Sequence, residues 1–129
     1  MNKKLLVVGS VLGLVALVLG AFAAHGLKES INNGAIETFQ TGVRYQMYHA
    51  IVLLFAGSTS YLKIKTKTRM FYLVIVGVLL FSGSIYGLAT NTLTDFDFKS
   101  IGFVTPIGGL FLIISWVLML TDFLKIKAE

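Results

Sequence analysis

Four long runs without a charged residue constrain this chain of 129 residues more than any other feature. They cover residues 5–27, 45–62, 70–94 and 100–121, and are 23, 18, 25 and 22 residues long. A helix needs about 20 apolar residues to cross a bilayer core about 30 Å thick, so each run is long enough, the second only just. Lipid offers the backbone no hydrogen-bond partner, so spanning segments form helices or a closed barrel, and barrel strands would show an alternating pattern that these runs lack. The runs therefore predict an all-α integral membrane protein.

The composition and the connections extend this prediction to an architecture. Charged residues make up 13% of the chain, against roughly 25% in an ordinary soluble domain. The short connections favour a four-helix antiparallel bundle in one membrane domain, residues 1–129. The predicted transmembrane helices cover about 4–25, 44–62, 70–93 and 100–121. Residues 28–43 are expected to form a loop or an amphipathic segment on the outer surface.

Lysine and arginine residues are unevenly distributed between the two sides of the predicted bundle. With four spans, the N-terminus, the second connection and the tail share one side, which receives eight of the eleven Lys and Arg residues. Short cytoplasmic loops carry the Lys and Arg excess, so both termini are expected to be cytoplasmic, an N-in/C-in topology. This distribution explains the net charge of +5 better than nucleic-acid binding does.

The first apolar run has an alternative interpretation as a cleaved secretory signal peptide. Lys3 and Lys4 resemble the basic start of such a peptide, and residues 21–23 (Ala-Phe-Ala) resemble its cleavage site. The run is longer than the usual apolar region of about 7–15 residues, which favours an uncleaved helix.

Small residues and a proline suggest how the helices pack. Gly9 and Gly13 in the first span, and Gly83 and Gly87 in the third, have the spacing that lets helix backbones approach closely. We expect them to pack inside the bundle; a homo-oligomer interface is the alternative. Pro106 lies about one and a half turns inside the predicted fourth span, where the missing backbone hydrogen bond should kink the helix.

Polar side chains that the predicted topology brings to the outer half of the bundle form the candidate site. They are His25, Arg44, Tyr45, Gln46, Tyr48, His49, Tyr86 and Thr105. They have three interpretations: a network that ties the helix ends together, a binding site or pathway for a small polar ligand or lipid headgroup with Arg44 as the anion contact, or a catalytic or metal site.

The catalytic and metal interpretation is the weakest of the three. Two histidines without a nearby Asp, Glu or Cys fall short of the three or four protein ligands of zinc. No span centre contains Asp, Glu, Lys or Arg, which argues against a proton pump based on carboxylates. We therefore expect no catalytic residue, metal site or cofactor, and no enzymatic activity.

Several motifs, taken in chain order, resemble one protein family. They are residues 20–27 (GAFAAHGL), 39–49 (FQTGVRYQMYH), 81–86 (FSGSIY) and 104–109 (VTPIGG), followed by Trp116. They resemble the domain-of-unknown-function 423 family of small bacterial membrane proteins, which is similar also to eukaryotic transmembrane protein 256. The resemblance covers nearly the whole chain, and departs from the family pattern at Ala23 and Ser115, where glycine is frequent.

The family resemblance implies a fold and a location but no activity. It implies four membrane helices, an uncleaved N-terminus and, for a bacterial source, a plasma-membrane location. The family motif positions among the candidate residues are His25, Gln46, His49, Tyr86, Thr105 and Pro106.

The chain is therefore expected to be a multi-pass membrane protein that binds or passes a small polar ligand or lipid headgroup. The alternative is a structural or interaction module of a membrane assembly. Membrane lipids are the expected partners, a homo-oligomer is possible by the glycine pattern, and other protein partners stay unknown.

Overall fold

The structure is a computed structural model that describes residues 1–128. Within these residues the fold is all-α, as predicted. The helices are α1 (Asn2–His25), α2 (Asn33–Ser58), α3 (Ile64–Ala89) and α4 (Val104–Leu124). Short 3-10 turns at Leu27–Glu29, Asn91–Leu93 and Phe98–Ile101 lie in the first and third connections.

Three helices among residues 1–128 are long and apolar enough to cross a membrane. They are α1 together with the turn that follows it, α3, and α4. Helix α2 has 26 residues but a lower apolar content, because Arg44, Gln46 and His49 lie along it. The four helices are therefore confirmed, whereas the crossing of the membrane by α2 stays a prediction.

The helix bounds differ from the predicted ones where polar residues begin a helix. Residues 33–43 form the first turns of α2 rather than a separate segment, and the Asn32 side chain accepts a hydrogen bond from the backbone N–H of Ala35 at 2.8 Å. Helix α3 begins at Ile64, and Lys65 and Arg69 project from its first turns into solvent. The predicted third span began after Arg69, but a charged side chain that reaches water does not interrupt a helix.

The position of Pro106 removes the reason for a kink. Helix α4 begins at Val104, so Pro106 lies in its first turn. The first backbone N–H groups of a helix have no partner within the helix, so the proline ring replaces a donor that the helix does not use.

Extensive contacts within residues 1–128 join each helix to the next along the chain: α1 packs on α2, α2 on α3, and α3 on α4. The start of α1 lies near the end of α2. A methyl group placed on Gly57, near the end of α2, would lie 3.1 Å from Leu5 Cβ at the start of α1. Leu53, Met70 and Val74 are fully buried in the main apolar core.

Glycines allow the closest approaches, but not all at the predicted positions. A methyl group on Gly9 would lie 3.0 Å from the carbonyl oxygen of Ala50, whereas one on Gly83 would meet nothing within 4 Å. Gly83 therefore faces away from the helices instead of packing among them. The tightest helix contact is at Gly108 of α4, where a methyl group would lie 2.8 Å from the backbone carbon of Leu80. The other two predicted glycines make different contacts: Gly13 lies at ordinary distance from α2, and Gly87 packs against the ring of Phe98.

Candidate functional site

Gln46 lies at the centre of a buried hydrogen-bond network that joins three helices. Its side chain is 4% exposed. Its amide nitrogen donates to the carbonyl oxygen of Leu12 in α1 at 2.9 Å, and its amide oxygen accepts from the Tyr86 hydroxyl of α3 at 2.7 Å. The two bonds satisfy both ends of the buried Gln46 amide, and they tie α2 to α1 and to α3.

His49 connects α2 to α4 one turn further along. The indole nitrogen of Trp116 donates to Nε2 of His49 at 3.0 Å, and Nδ1 lies 2.7 Å from the carbonyl oxygen of Tyr45. An indole N–H can only donate, so Nε2 is the acceptor and the proton of the neutral ring lies on Nδ1, where it donates to Tyr45. Both ring nitrogens are therefore occupied by the protein itself.

Two serines of α3 complete the network. The Ser82 hydroxyl donates to the carbonyl oxygen of Gly42 at 2.8 Å. The hydroxyls of Ser84 and Thr105 share a hydrogen bond that joins α3 to the first turn of α4. Thr105 thus lies in a bonded pair with Ser84, which sequence reasoning did not place in the site.

The side chains of three other candidate residues, His25, Arg44 and Tyr48, do not join the buried network. His25 is exposed at the end of α1. Gln46 is level with Leu12, thirteen residues before His25, which is about 20 Å along the helix at about 1.5 Å per residue. His25 and His49 therefore lie apart. Arg44 and Tyr48 are exposed, and Arg44 donates to the hydroxyl of Thr41 at 2.9 Å.

A second polar cluster lies at the other end of the helices, away from the candidate residues. Lys67 is 5% exposed, and its ammonium donates to Asn2 Oδ1 at 2.9 Å and to the carbonyl oxygen of Thr59 at 2.6 Å. Thr59 is the C-cap of α2, where the helix dipole favours a cation. Lys63 and Lys67 are four residues apart in the sequence, but no pattern in the sequence indicates which of the lysines is buried.

Asp122 is the acidic member of this inner cluster. It is 6% exposed, and its Oδ2 accepts the backbone N–H of Lys63 at 2.9 Å. Lys63 is the N-cap of α3, so a carboxylate from α4 lies at the positive end of another helix. This contact is invisible to sequence inspection, because the two residues are far apart in the chain.

The buried polar side chains of residues 1–128 all have hydrogen-bond partners in the protein. Within the same residues no three His, Asp or Glu side chains gather in a way that could hold a metal ion. The network is thus saturated by its own members.

Two apolar hollows lie beside the network. The outer hollow, of about 450 Å³, is lined by Tyr45, Tyr48, His49, Ile51 and Val52 of α2 and by Trp116 of α4. The inner hollow, of about 490 Å³, runs along α4 and is lined by Ile113, Trp116, Val117, Met119, Leu120 and Phe123. Trp116 borders both, and its ring meets the His49 ring edge-on, with centroids 6.2 Å apart.

Comparisons with known proteins agree with the family resemblance. Residues 19–109 match the family DUF423, described as a protein of unknown function. The UPF0382 membrane protein YwdK of Bacillus subtilis is 35% identical over 95% of this chain and 98% of its own length. A UPF0382 membrane protein of Haemophilus influenzae is 34% identical over 99% of both chains, and the UPF0382 inner membrane protein YgdD of Escherichia coli is 33% identical over 99% of this chain and 95% of its own.

No solved structure matches this chain. The family match covers most of the sequence. The relatives are named membrane proteins and match this chain along nearly their full length, and three of its helices are apolar enough to cross a bilayer. The chain therefore belongs to the DUF423 family, whose function is unknown, and is a multi-pass membrane protein.

Proposed function

We propose that this protein is a non-enzymatic lipid-binding membrane protein that holds an acyl chain in the outer hollow and the lipid phosphate at Arg44. The observation that carries the proposal is the outer hollow itself, an apolar surface between α2 and α4 that lies one helical turn from an exposed arginine. Its volume of about 450 Å³ falls in the usual range of ligand sites, about 300–1,000 Å³.

The lining of the outer hollow fits an acyl chain better than a polar solute. Ile51 is 55% exposed and Trp116 is 47% exposed, although both are apolar over most of their surface. In a bilayer such surfaces contact lipid rather than water. The polar atoms of His49 are directed to Tyr45 and Trp116, so they do not line the hollow as free donors or acceptors.

Arg44 supplies the charge that a phosphate would require. It precedes Tyr48 by four residues, so the two side chains share one face of α2, about 6 Å apart along the axis. A guanidinium has five N–H donors, of which one is directed to Thr41. The remaining donors have the fork geometry that binds phosphate through two parallel hydrogen bonds.

A second candidate function is that of a structural or interaction module without a ligand. The specific observation in its favour is the network of Gln46, His49 and Tyr86, in which the side chain of each residue makes a hydrogen bond to another helix. These hydrogen bonds also argue against the passage of a polar ligand through the interior, because polar groups that are bonded to one another are not free to bind a ligand.

The proposal includes a topology. Four membrane-crossing helices in an antiparallel bundle are supported by contacts that pair the start of each helix with the end of its neighbour. Both termini would be cytoplasmic in the plasma membrane, a proposal supported by the Lys and Arg distribution and by the inner membrane location named for the Escherichia coli relative. A periplasm-active phosphatase fused after residue 129 should be inactive, while the same enzyme inserted at residue 96 should be active; the reverse pattern would exclude this topology.

The lipid site can be tested with the chain's own fluorescence. Trp116 is the single tryptophan and borders the outer hollow. Brominated lipids quench a tryptophan on contact, so quenching by brominated phosphatidylglycerol in a phosphatidylcholine bilayer measures the preference of the Trp116 surroundings for an anionic lipid. We expect that preference in the wild-type protein, and its loss in Arg44→Gln.

The matched control is Lys28→Gln, which removes an exposed charge from the same predicted side of the membrane. The Trp116 emission of this variant should be quenched as strongly as that of the wild-type protein. Equal quenching of the wild-type protein, Arg44→Gln and Lys28→Gln would refute the phosphate contact and favour the structural module.

A further inference from the structure

The third connection of the chain, residues 90–103 between α3 and α4, exposes three large apolar side chains. Leu93 is 51% exposed, Phe96 is 52% exposed and Phe103 is 64% exposed. One exposed leucine or phenylalanine on a protein surface needs no explanation, because much of any surface is apolar. Three of them on one short connection form a surface that water covers poorly, and such surfaces mark contacts with a membrane or another molecule.

The first connection, residues 26–32, lies at the same end of the molecule and buries its large apolar side chains. Leu27 and Ile31 are buried in a cluster with Phe39 of α2 and Ala89 at the end of α3. Both connections follow apolar helices and contain short 3-10 turns, so the type of turn does not explain the difference. The third connection directs its apolar side chains outward, where residues 1–128 leave them uncovered.

The polar groups of the third connection are bonded to one another. Oδ1 of Asn91 accepts the backbone N–H of Phe98 at 2.8 Å, and the Asn91 amide nitrogen donates to Oδ1 of Asp97 at 3.1 Å. Oδ1 of Asp97 also accepts the backbone N–H of Lys99 at 3.0 Å. The ring of Phe98 packs against Gly87, which fixes the connection to α3. A segment whose polar groups already have partners can approach an apolar phase at a lower cost than one whose groups depend on water.

Phe103 continues an exposed apolar stripe of α4. It is the N-cap of that helix and has helical backbone angles. It precedes Ile107 by four residues and Leu110 by seven, so the three side chains share one helical face, and all three are exposed. In a membrane protein this face of α4 contacts lipid, and Phe103 extends that contact beyond the first helical turn. Phe96 adds a second ring to the surface, edge-on to Phe98 with centroids 4.9 Å apart.

We infer that the third connection is an interfacial anchor, which inserts Leu93, Phe96 and Phe103 into the boundary between the headgroups and acyl chains of the adjacent leaflet. The continuity with the lipid-facing stripe of α4 selects the bilayer as the occupant of this surface. The connection carries two acidic residues and one basic residue, so the contact is apolar and requires no anionic lipid. The anchor works in either orientation of the chain and does not depend on a lipid at Arg44.

Nitroxide labels on single cysteines test the inference, because the chain has no cysteine of its own. Phe96→Cys and Phe103→Cys are labelled and placed in phosphatidylcholine vesicles. Molecular oxygen concentrates in lipid and a charge-neutral nickel chelate stays in water, so the ratio of the two collision rates reports the surroundings of each label. We expect oxygen collisions to dominate at both positions. The ratio should rise further at Ile107→Cys, about 6 Å deeper along α4 at about 1.5 Å per residue.

The matched control is Lys28→Cys, at an exposed position of the first connection. Nickel collisions should dominate there. Nickel collisions as frequent at positions 96 and 103 as at position 28 would overturn the inference. Labels at 96 and 103 that are shielded from both reagents would also overturn it, because a second protein molecule rather than lipid would then cover the connection.

Two further variants keep the result unambiguous. Arg44→Gln should leave the collision ratios at positions 96 and 103 unchanged, although it should remove the preference of the outer hollow for an anionic lipid, so the two proposals fail separately. Should Phe103→Cys not fold, as judged by Trp116 emission, Leu93→Cys replaces it, because Leu93 lies outside α3 and α4.

Discussion

Replacing Gln46 by leucine and Tyr86 by phenylalanine, singly and together, measures the buried hydrogen bond that joins α2 to α3. The Tyr86 hydroxyl donates to the Gln46 amide oxygen at 2.7 Å, and the Gln46 amide nitrogen donates to the carbonyl oxygen of Leu12 at 2.9 Å. Tyr86→Phe therefore removes one bond and leaves the buried amide oxygen of Gln46 without its partner, whereas Gln46→Leu removes two bonds and leaves the half-buried Tyr86 hydroxyl without its partner.

The expected magnitudes follow from this difference. One hydrogen bond contributes about 0.5–1.5 kcal/mol and an unpaired buried group costs about 1–3 kcal/mol, so we expect a loss of about 1 kcal/mol for Tyr86→Phe and about 2 kcal/mol for Gln46→Leu. Double-mutant cycles between membrane helices average about 0.6 kcal/mol with a maximum of about 1.7 kcal/mol. The double variant should fall short of the summed losses by an energy in that range.

The free energy of unfolding can be followed by the emission of Trp116 during titration with dodecyl sulfate in mixed micelles. Tyr48→Phe is the matched control, because Tyr48 is an exposed tyrosine of α2, and its change should stay within about 0.5 kcal/mol. Equal stability of Tyr86→Phe and Tyr48→Phe, together with a coupling energy of zero, would refute the assignment of this network as the connection between the helices.

Three further predictions concern packing, the inner cluster and one loop. Gly108→Ala should lower stability by about 1–3 kcal/mol because backbone atoms of α3 cannot move away, whereas Gly83→Ala should raise it by up to about 1 kcal/mol through helix propensity, both measured in the same titration. Lys67→Met should cost about 1–3 kcal/mol, since it removes the buried cation that donates to the carbonyl oxygen of Thr59 and to Asn2 Oδ1, and Lys65→Met should cost little; equal effects would contradict the burial of Lys67. The backbone N–H of residue 99 and a side-chain amide hold the pKa of Asp97 below its usual value of 3.8, so the carboxylate stabilises its turn above that pH and the stabilisation is lost as pH falls through the lowered folded pKa. The protection of the residue 99 amide, measured as its exchange rate relative to the intrinsic rate at the same pH, should therefore fall only in acid, and Asp97→Asn should remove this pH dependence.

Much of the fold was predictable because hydrophobicity is a property of local composition. The apolar runs located all four helices, and the polar residues between 44 and 49 marked the part of α2 that carries buried hydrogen bonds. The residues at which the helices begin and end were less predictable. Lys65 and Arg69 lie in helical turns that a search for charge-free runs excludes, since hydrogen bonding of the backbone continues wherever the side chains reach solvent.

The candidate site was predictable as a region but not as a set of contacts. Arg44 and Gln46 are two residues apart, yet Arg44 is exposed and Gln46 is buried, because a helix turns by about 200° between them at about 3.6 residues per turn. Which of the two faces the interior depends on the neighbours of α2. The distance between His25 and His49 likewise depends on how α1 packs on α2, since it follows from the pairing of Gln46 with Leu12.

The sequence by itself determined the class of the protein, its division into four helices and its family. It also determined how Lys and Arg residues are distributed among the connections between the helices. Each of these depends on sums over neighbouring residues or on motifs read in order. Only the tertiary structure decided that His49 bonds to Trp116, that Lys67 and Asp122 are buried, and where the two hollows lie. These features depend on how helices that are distant in the chain are rotated and aligned against one another. A shift of one helix along its neighbour by a single residue would bring different side chains into contact.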